Sequence, residues 1–308
     1  MIDIIFSYFK TKKLSFGGSL LLFLSLVSSN CMGQSDTSAI DKTRLIKVSA
    51  ATGTVYVSTI YVLSNLWYAD YKQSKFHRFD DNSEWLQMDK YGHTYSSYLG
   101  GFIGKEALES AGFSQRKSIL YGGGLGFLFL GTIEIMDGFS ADWGFSWGDM
   151  ASNALGTSLL MGQELLFQKQ IIIPKFSYSS SRYRAYNPKL LGENNNQAII
   201  KDYNAQTYWY SVNLYSIYEP IKPKWLNFAF GVGADGMVNS HGNYITNHGE
   251  IIRPSRQYYI SLDVDFSKIN TQNKFLKTLF KAANFIKVPA PTLEFNEEKG
   301  SNWHWLFF

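Results

Sequence analysis

The sequence predicts an α+β protein in which a helical bundle comes first and a β-rich region follows. Residues 40–168 contain long segments with apolar and small residues at helical spacing, whereas from residue 169 the apolar runs become short, aromatic or β-branched. Gly, Pro and Asn separate these later runs, as turns require. Charged residues make up 18% of the chain, below the share of about 25% that is typical of globular domains. Such a chain buries surface in a large core or against lipid, so membrane embedding of the helices stays open.

Residues 1–33 are predicted to form a secretory signal peptide. Three lysines between positions 10 and 13 precede an apolar run that ends at Val27, and small and polar residues follow. The run is shorter than the roughly 20 residues that a membrane span needs, so an uncleaved anchor is the less favoured alternative. Cleavage is expected near residues 33 and 34, or before Cys31 if a lipoprotein peptidase acts.

Cys31 is the single cysteine of the chain. Ser28 stands three residues before it, where a lipoprotein signal has a leucine, so loss of Cys31 with the signal is favoured and lipidation is the alternative. A mature chain without cysteine excludes disulfides, thiolate catalysis and zinc–cysteine sites.

The charge of the mature chain argues against a nucleic-acid partner. Removing residues 1–33 takes three of the 29 basic residues and one of the 25 acidic residues, which leaves 26 against 24 and a net charge of +2. A nucleic-acid-binding domain carries a much stronger basic excess. The partners expected instead are a membrane or lipid and a protein of the cell envelope.

Four helices are predicted within residues 40–168. The first includes an apolar stretch at 48–69 that is long enough to span a bilayer, although small and hydroxylated residues dilute it. The later helices carry glycines that let helix backbones approach closely, as in membrane bundles. These glycines are Gly100 and Gly104, Gly122 and Gly126, all in small-xxx-small spacing, and Gly156 in the fourth helix.

Three polar pairs lie on three successive predicted helices, at spacings of three or four residues. Such spacing places both members of a pair on one helix face. Carboxylates beside apolar helix residues cost free energy unless they are paired, hydrogen-bonded or exposed to a wet cavity, so the pairs predict one shared polar centre. The pairs are Asp89 with His93, Glu134 with Asp137, and Asp149 with Asn153.

Each of these residues also has a structural interpretation. Asp89, Glu134 and Asp137 lie near predicted helix ends, where water can solvate them, and Asp149 can cap the fourth helix. A single histidine such as His93 is more often structural than a ligand.

In the functional interpretation, all six residues are candidates for a catalytic centre. His93 is then a general base or metal ligand, and the carboxylates are acid–base partners or further ligands. One histidine with several carboxylates suits a hard divalent ion, and no other cofactor is indicated. The predicted metal ligands are His93, Glu134, Asp137 and Asp149.

Residues 169–308 are predicted to be β-rich, with six short strand candidates and one helix at 271–287. This helix has Phe275 and Leu279 on one side and lysines on the other, so it either lies at a membrane surface or packs on the sheet. Six strands are fewer than the eight of the smallest transmembrane barrels, and the residues before Phe308 do not alternate consistently. A closed barrel is therefore not favoured.

The segments DKYGH, EIMDG and SWGDMASNALG resemble the DKxxH…ExxD…DxxANxxG pattern of a bacterial family of unknown function. The family consists of predicted periplasmic lipoproteins, includes the YfiM-like proteins and is known as domain of unknown function 2279. The resemblance covers about residues 85–165, and the long β-rich tail resembles Bacteroidetes-type versions of the family. A looser likeness links the same pattern to VanZ-like membrane proteins. The resemblance implies a periplasmic or outer-membrane-associated protein of the cell envelope and implies no activity.

Three functions remain open at this point. An envelope module that anchors or binds a ligand at a membrane is favoured, because the chain has no HExxH motif and its helices carry small-residue contacts. The alternative is a membrane-associated, metal-dependent enzyme that acts on a lipid or glycan precursor through the His/carboxylate centre. A channel or transporter built on the β-rich half is the third function, and it requires a closed ladder of strands.

Overall fold

The computed structural model describes residues 41–63 and 72–308. The predicted signal peptide, its cleavage site and Cys31 lie outside the described residues. The predicted helical first half is confirmed, with helices that span most of the chain up to residue 167. These helices are α1 (Lys42–Leu63), α2 (Met88–Ser110), α3 (Gln115–Asp137, with a π-helical turn at Ser118–Gly122) and α4 (Trp147–Phe167).

Helix α2 packs against both α3 and α4 through small residues. A Cβ atom placed on Gly126 would overlap the carbonyl oxygen of Ser97, and one placed on Gly156 would overlap that of Thr94. Gly122 faces the backbone of Gly104 in the same way. The small-residue contacts predicted from the sequence are therefore present, because a larger side chain would separate these helices.

Within the described residues, α3 is the one helix long and apolar enough to cross a membrane. The core helix of a soluble protein can have the same length and composition, and 39% of the most apolar window of α3 is buried inside the protein. The stretch at 48–69, which the sequence marks as another possible span, is described only as far as residue 63.

All six predicted strand segments form strands of one antiparallel sheet. In chain order these strands are β1 (Ile172–Tyr178), β2 (Gln206–Asn213), β3 (Leu226–Asp235), β6 (Ser255–Val264), β7 (Ala290–Asn296) and β8 (Gly300–Phe307). They lie in the order β1-β2-β3-β6-β7-β8, so β1 and β8 form opposite edges of the described sheet. The closed ladder that a channel requires is thus not present among the described strands.

The structure adds short elements that the sequence analysis does not predict. A two-stranded hairpin joins β4 (Tyr244–Ile245) to β5 (Ile251–Ile252). Three short helices connect the first strands and were also not predicted, whereas α8, which precedes β7, is the helix predicted at 271–287. These helices are α5 (Pro188–Leu191), α6 (Asn195–Lys201), α7 (Leu214–Ile217) and α8 (Lys274–Ala283).

The sheet buries its polar face and exposes much of its apolar face. On the buried face, Lys175 Nζ lies 2.7 Å from Asp263 Oδ2, and Ser211 Oγ donates a hydrogen bond of 2.6 Å to the same oxygen. On the opposite face, Phe230 and Leu262 are exposed to 48% and 44%. This arrangement reverses the usual antiparallel sheet, whose apolar face packs on the core.

Helix α2 covers one corner of the apolar sheet face. Tyr95 of α2 contacts the rings of Phe176 on β1 and Tyr208 on β2, with centroid distances of 5.8 and 6.1 Å. Met88, at the start of α2, is fully buried in the same cluster. Contacts with this corner of the sheet therefore fix the position of the first turns of α2, which contain the DKYGH segment.

Candidate functional site

His93 lies where three helices meet, and its two ring nitrogens face residues from α3 and α4. Its Nε2 is 3.6 Å from Glu134 Oε1 and 3.7 Å from Asp149 Oδ1. Its Nδ1 is 3.0 Å from Asn153 Oδ1. The structure thus brings one or both members of each predicted pair into one buried centre.

Lys90, the residue after Asp89, supplies the positive charge of this centre. Its ammonium group lies 2.7 Å from Asp81 Oδ1, 2.9 Å from Asp89 Oδ2 and 2.8 Å from Asp149 Oδ1. Sequence reasoning assigned no role to Lys90 and missed Asp81. The position of Lys90 between Asp89 and His93 was a signal for the lysine, whereas Asp81 lies in a connection without periodicity.

Ser146 joins α4 to the acidic residues. It is the N-cap of α4, where its hydroxyl accepts a hydrogen bond from the backbone N–H of Asp149. The same hydroxyl donates to Asp81 Oδ1 at 2.7 Å, and the backbone N–H of Ser146 donates to Glu134 Oε2 at 3.3 Å. The capping role considered for Asp149 therefore belongs to Ser146, and the Asp149 carboxylate is free to face Lys90.

The solvated-end interpretation is wrong for Glu134 and Asp89, because their side chains are buried. Glu134 is 1% exposed and Asp89 is 9% exposed. Asp137 has a different role from its predicted partner Glu134, since its Oδ1 accepts a hydrogen bond of 2.6 Å from the indole N–H of Trp143.

Buried acids in this centre outnumber the one lysine that pairs with them. Three carboxyl groups, those of Asp81, Asp89 and Asp149, contact Lys90, and a fourth, that of Glu134, lies beside His93. Among the described residues, Glu134 Oε1 and Asp89 Oδ1 have no hydrogen-bond partner. Leaving a buried acceptor unsatisfied lowers the free energy of unfolding by about 1–3 kcal/mol. This loss indicates that the arrangement of the centre serves a function other than stability.

Burial and mutual repulsion raise the pKa of two of these acids. Burial, followed by the charges of Asp149 and Asp137, raises the pKa of Glu134 to about 9. Burial also raises the pKa of Asp149 to about 6, although His93 and Lys90 oppose the shift. Near neutral pH, therefore, the metal-free centre relieves its excess of negative charge by keeping a proton on Glu134.

Asp89 and Asp81 both contact Lys90, but their pKa values shift in opposite directions. Burial raises the pKa of Asp89, with Lys90 acting against the shift. For Asp81 burial has the same tendency, but hydrogen bonds from Lys90, Asp149 and Ser146 together lower its pKa. Burial tends to lower the pKa of Lys90. The surrounding carboxylates have the larger effect in total, so the pKa of Lys90 is raised.

A cavity of about 390 Å³ lies beside the polar centre. His93 belongs to both, since it lines the cavity while its Nε2 faces Glu134 and Asp149. Most of the lining is apolar or aromatic, and α3, the sheet corner and α6 contribute to it. The lining includes Phe129, Leu130, Ile133, Phe176, Ile199 and Tyr208, with Asp89, His93 and Asp137 as charged or titratable members.

The ligand atoms of His93, Glu134 and Asp149 all lie within 4.8 Å of one another. Two ligand atoms that are each about 2.1 Å from a tetrahedral metal ion are about 3.4 Å apart, close to the separations seen at His93. A second set, Asp81, Asp89 and Asp149, meets the same spacing, but the Lys90 ammonium already contacts all three. The first set is therefore the one suited to a metal ion.

The fold and this site define an α+β protein whose helices enclose a buried His–carboxylate–lysine centre. Residues 76–162 match the family model described as predicted periplasmic lipoprotein (DUF2279), and every residue of the centre lies within that segment. The match confirms the YfiM-like resemblance and the expected envelope location, whereas the VanZ-like likeness has no support from it. The family description gives no activity. Searches of the curated proteins and of the solved structures returned no match.

Proposed function

We propose that this envelope protein binds an amphiphilic small molecule in the cavity beside His93, with a divalent cation held by the polar centre. One observation carries the proposal: His93 lines an apolar cavity of about 390 Å³ and turns its Nε2 toward the buried Glu134 and Asp149. An apolar pocket with a few convergent polar groups is the common form of a small-molecule site.

The charge of the centre supports the cation. The centre holds four acids and one lysine, and Glu134 Oε1 is buried without a hydrogen-bond partner among the described residues. A divalent ion bound to His93, Glu134 and Asp149 would satisfy that oxygen and balance the excess of negative charge. Because Asp149 Oδ1 also meets Lys90 at 2.8 Å, the ion would share this oxygen with the lysine or use the other one.

The lining of the cavity supports an amphiphilic ligand. Phe129, Leu130 and Ile133 of α3 offer an apolar wall, while Asp89 and His93 offer polar atoms on α2. A ligand with an apolar body would gain from displacing water along that wall. Its polar group would meet His93 and the cation, which suits an anionic headgroup such as a phosphate.

Metal analysis of the purified mature protein tests the cation. We expect one divalent ion per chain in the wild type, measured by mass spectrometry of the metal content after incubation with Zn²⁺, Mn²⁺ or Mg²⁺. His93→Ala and Glu134→Gln should lose the ion, since each removes one ligand. The matched control is His248→Ala, because His248 is an exposed histidine far from the described site in the chain. A wild type that holds no more metal than His93→Ala would contradict the proposal.

A second candidate function is an enzyme that acts on a lipid or glycan precursor. It is favoured by the 3.6 Å separation of His93 Nε2 and Glu134 Oε1 beside a cavity, since such a pair can accept and return a proton at a bound ligand. Envelope lipid extracts incubated with the metal-loaded protein and analysed by mass spectrometry test this function. Product that forms with the wild type and not with Glu134→Gln supports catalysis, and an unchanged extract with retained metal supports binding alone.

A further inference from the structure

Helix α8 leaves its apolar side uncovered. Phe275 is 70% exposed and Leu279 is 48% exposed, so the helix does not bury this side on the sheet. Phe280, on another side, stacks on Phe266 with a centroid distance of 5.8 Å and attaches the helix to the protein. An amphipathic helix whose apolar stripe faces away from the core needs another apolar phase to cover it.

The charges of α8 are basic. Lys274 and Lys277 are exposed beside the apolar residues, and the helix contains no acidic residue. Lys281, one turn further, pairs with Glu106 of α2, which fixes the end of α8 to the helical region. The exposed part of α8 therefore combines aromatic and aliphatic side chains with basic ones and with no acidic one.

We propose that α8 docks on an anionic lipid bilayer. Phe275, Leu276 and Leu279 enter the boundary between headgroups and acyl chains, and Lys274 and Lys277 contact lipid phosphates. Basic amphipathic helices with aromatic residues lie in membrane interfaces in this way, and each lysine near an anionic surface adds to the attraction. Charge complementarity thus selects lipid over a second copy of this chain, because lysines are depleted from protein–protein interfaces.

The sheet extends the same apolar surface. Ile286, three residues after α8, is 59% exposed and forms a β-bridge with Phe176 on β1, which places it on the apolar sheet face. That face continues across the sheet through the paired residues Phe230 and Ile260 to Leu293 and Trp303. This row contains no charged residue, and the charged residue of β6 on the same face, Arg256, lies at the strand end and donates to the carbonyl oxygen of Leu86.

The length of this apolar surface along the strands indicates that the protein docks on one face of a bilayer and does not span it. On β6 the exposed apolar residues run from Tyr258 to Leu262, four residue steps that correspond to about 14 Å. The apolar band of a transmembrane barrel is about 25 Å tall. The apolar surface is thus tall enough to enter one leaflet, with exposed Trp303 and Trp305 as amphipathic residues suited to its interface.

Flotation with lipid vesicles tests the proposal on the chain from residue 34 onward, which lacks Cys31 and therefore any acyl anchor. Vesicles contain phosphatidylethanolamine with phosphatidylglycerol, or phosphatidylcholine alone. We expect the protein to float with the anionic vesicles and to bind the neutral ones at least about tenfold more weakly. High salt should reduce binding to anionic vesicles, because exposed charges are screened.

Two double variants separate the contributions, and a third is the control. Lys274→Glu with Lys277→Glu, and Phe275→Ser with Leu279→Ser, should each lower anionic-vesicle binding at least about tenfold while circular dichroism stays unchanged. The control changes two exposed lysines on other segments, Lys189→Glu with Lys222→Glu, and should bind as the wild type.

Three outcomes would overturn the proposal. The first is a wild type that does not float, and the second is equal binding by all variants. The third is a dimer, measured by analytical ultracentrifugation, that Phe275→Ser with Leu279→Ser dissociates without any vesicle binding, which would assign the surface to a second copy. The metal content does not depend on α8, so failure here leaves the cation proposal standing.

Discussion

The protein contains two buried lysine–aspartate networks, one in the helices and one on the sheet, and they differ in how completely they are satisfied. In the sheet, Asp263 meets Lys175 at 2.7 Å, Ser211 at 2.6 Å and the backbone N–H of Val288 at 3.3 Å. Lys287 donates to the carbonyl oxygens of Leu262 and Val288. Both carboxylate oxygens of Asp263 therefore have donors.

The helical centre is different in both charge and hydrogen bonding. It has an excess of acids around Lys90, and Glu134 Oε1 lacks a hydrogen-bond partner among the described residues. It also borders a cavity through His93, whereas the Asp263 network is enclosed by the sheet and its connections. The difference indicates that a saturated network holds a fold together, and that an unsaturated network beside a cavity is the place to expect a ligand.

The largest effect should come from breaking the sheet network. Asp263→Ala leaves Lys175 and Lys287 without their shared carboxylate, and both lysine side chains are fully buried. We expect the free energy of unfolding to fall by about 3–5 kcal/mol, as when one partner of a buried ion pair is removed. Urea denaturation followed by circular dichroism measures the change. A loss below about 1 kcal/mol would mean that the network does not hold the sheet together.

A smaller loss is expected from Lys90→Met, which keeps the length of the side chain and removes its charge. Asp81, Asp89 and Asp149 then lose their common partner, but they can each take up a proton, which limits the cost. We expect a loss of about 2–3 kcal/mol at pH 7 and a smaller loss at pH 5. Urea denaturation at the two pH values compares them, and a loss that does not depend on pH would contradict this account.

The pH dependence of the metal-free protein should distinguish the helical centre from the sheet. The pKa of Glu134 is raised from 4.5 to about 9 on folding, so its favourable contribution is complete below pH 4.5 and disappears as the pH rises toward 9. The raised pKa of Asp149, about 6, acts in the same direction at lower pH. The free energy of unfolding should therefore decrease from pH 5 to pH 9.

The variant Glu134→Gln should show the smallest change in stability and the flattest pH profile. It removes the titrating group, so the slope above pH 6 should be reduced by up to about 1.4 kcal/mol for each pH unit. At pH 8 we expect the metal-free variant to be at least as stable as the wild type. Urea midpoints at several pH values measure this, and an unchanged slope would show that another group is responsible.

Local sequence patterns predicted most of the elements. Helical spacing and glycines such as Gly126 and Gly156 indicated the four helices and their close contacts, and short aromatic or β-branched runs between turn residues indicated the six strands. The hairpin of β4 and β5 was missed because Tyr244–Ile245 and Ile251–Ile252 are only two residues each. So short a run has no measurable period.

The candidate site was predicted in part. Spacing placed His93 on one helix face with Asp89, and Asp149 on one face with Asn153, since the helical period is a local property. Spacing did not indicate that Asp137 would bond Trp143 while Glu134 faces His93. Residues three apart on a helix differ in direction by about 60°, so packing decides which neighbour each one meets.

The sequence by itself determined the succession of helices and strands, the residues that share each face, and the overall charge. Only the tertiary structure decided which faces are buried. In β6, the alternation of Ser261, Leu262 and Asp263 defines two faces equally well in either orientation, and the structure buries the serine and aspartate and exposes the leucine. A period of two residues separates faces and does not choose between them. Likewise, only the meeting of three helices determined that Glu134 Oε1 would be buried near His93 with no donor in the part of the chain that the structure describes. Hydrogen-bond satisfaction depends on neighbours distant in the chain.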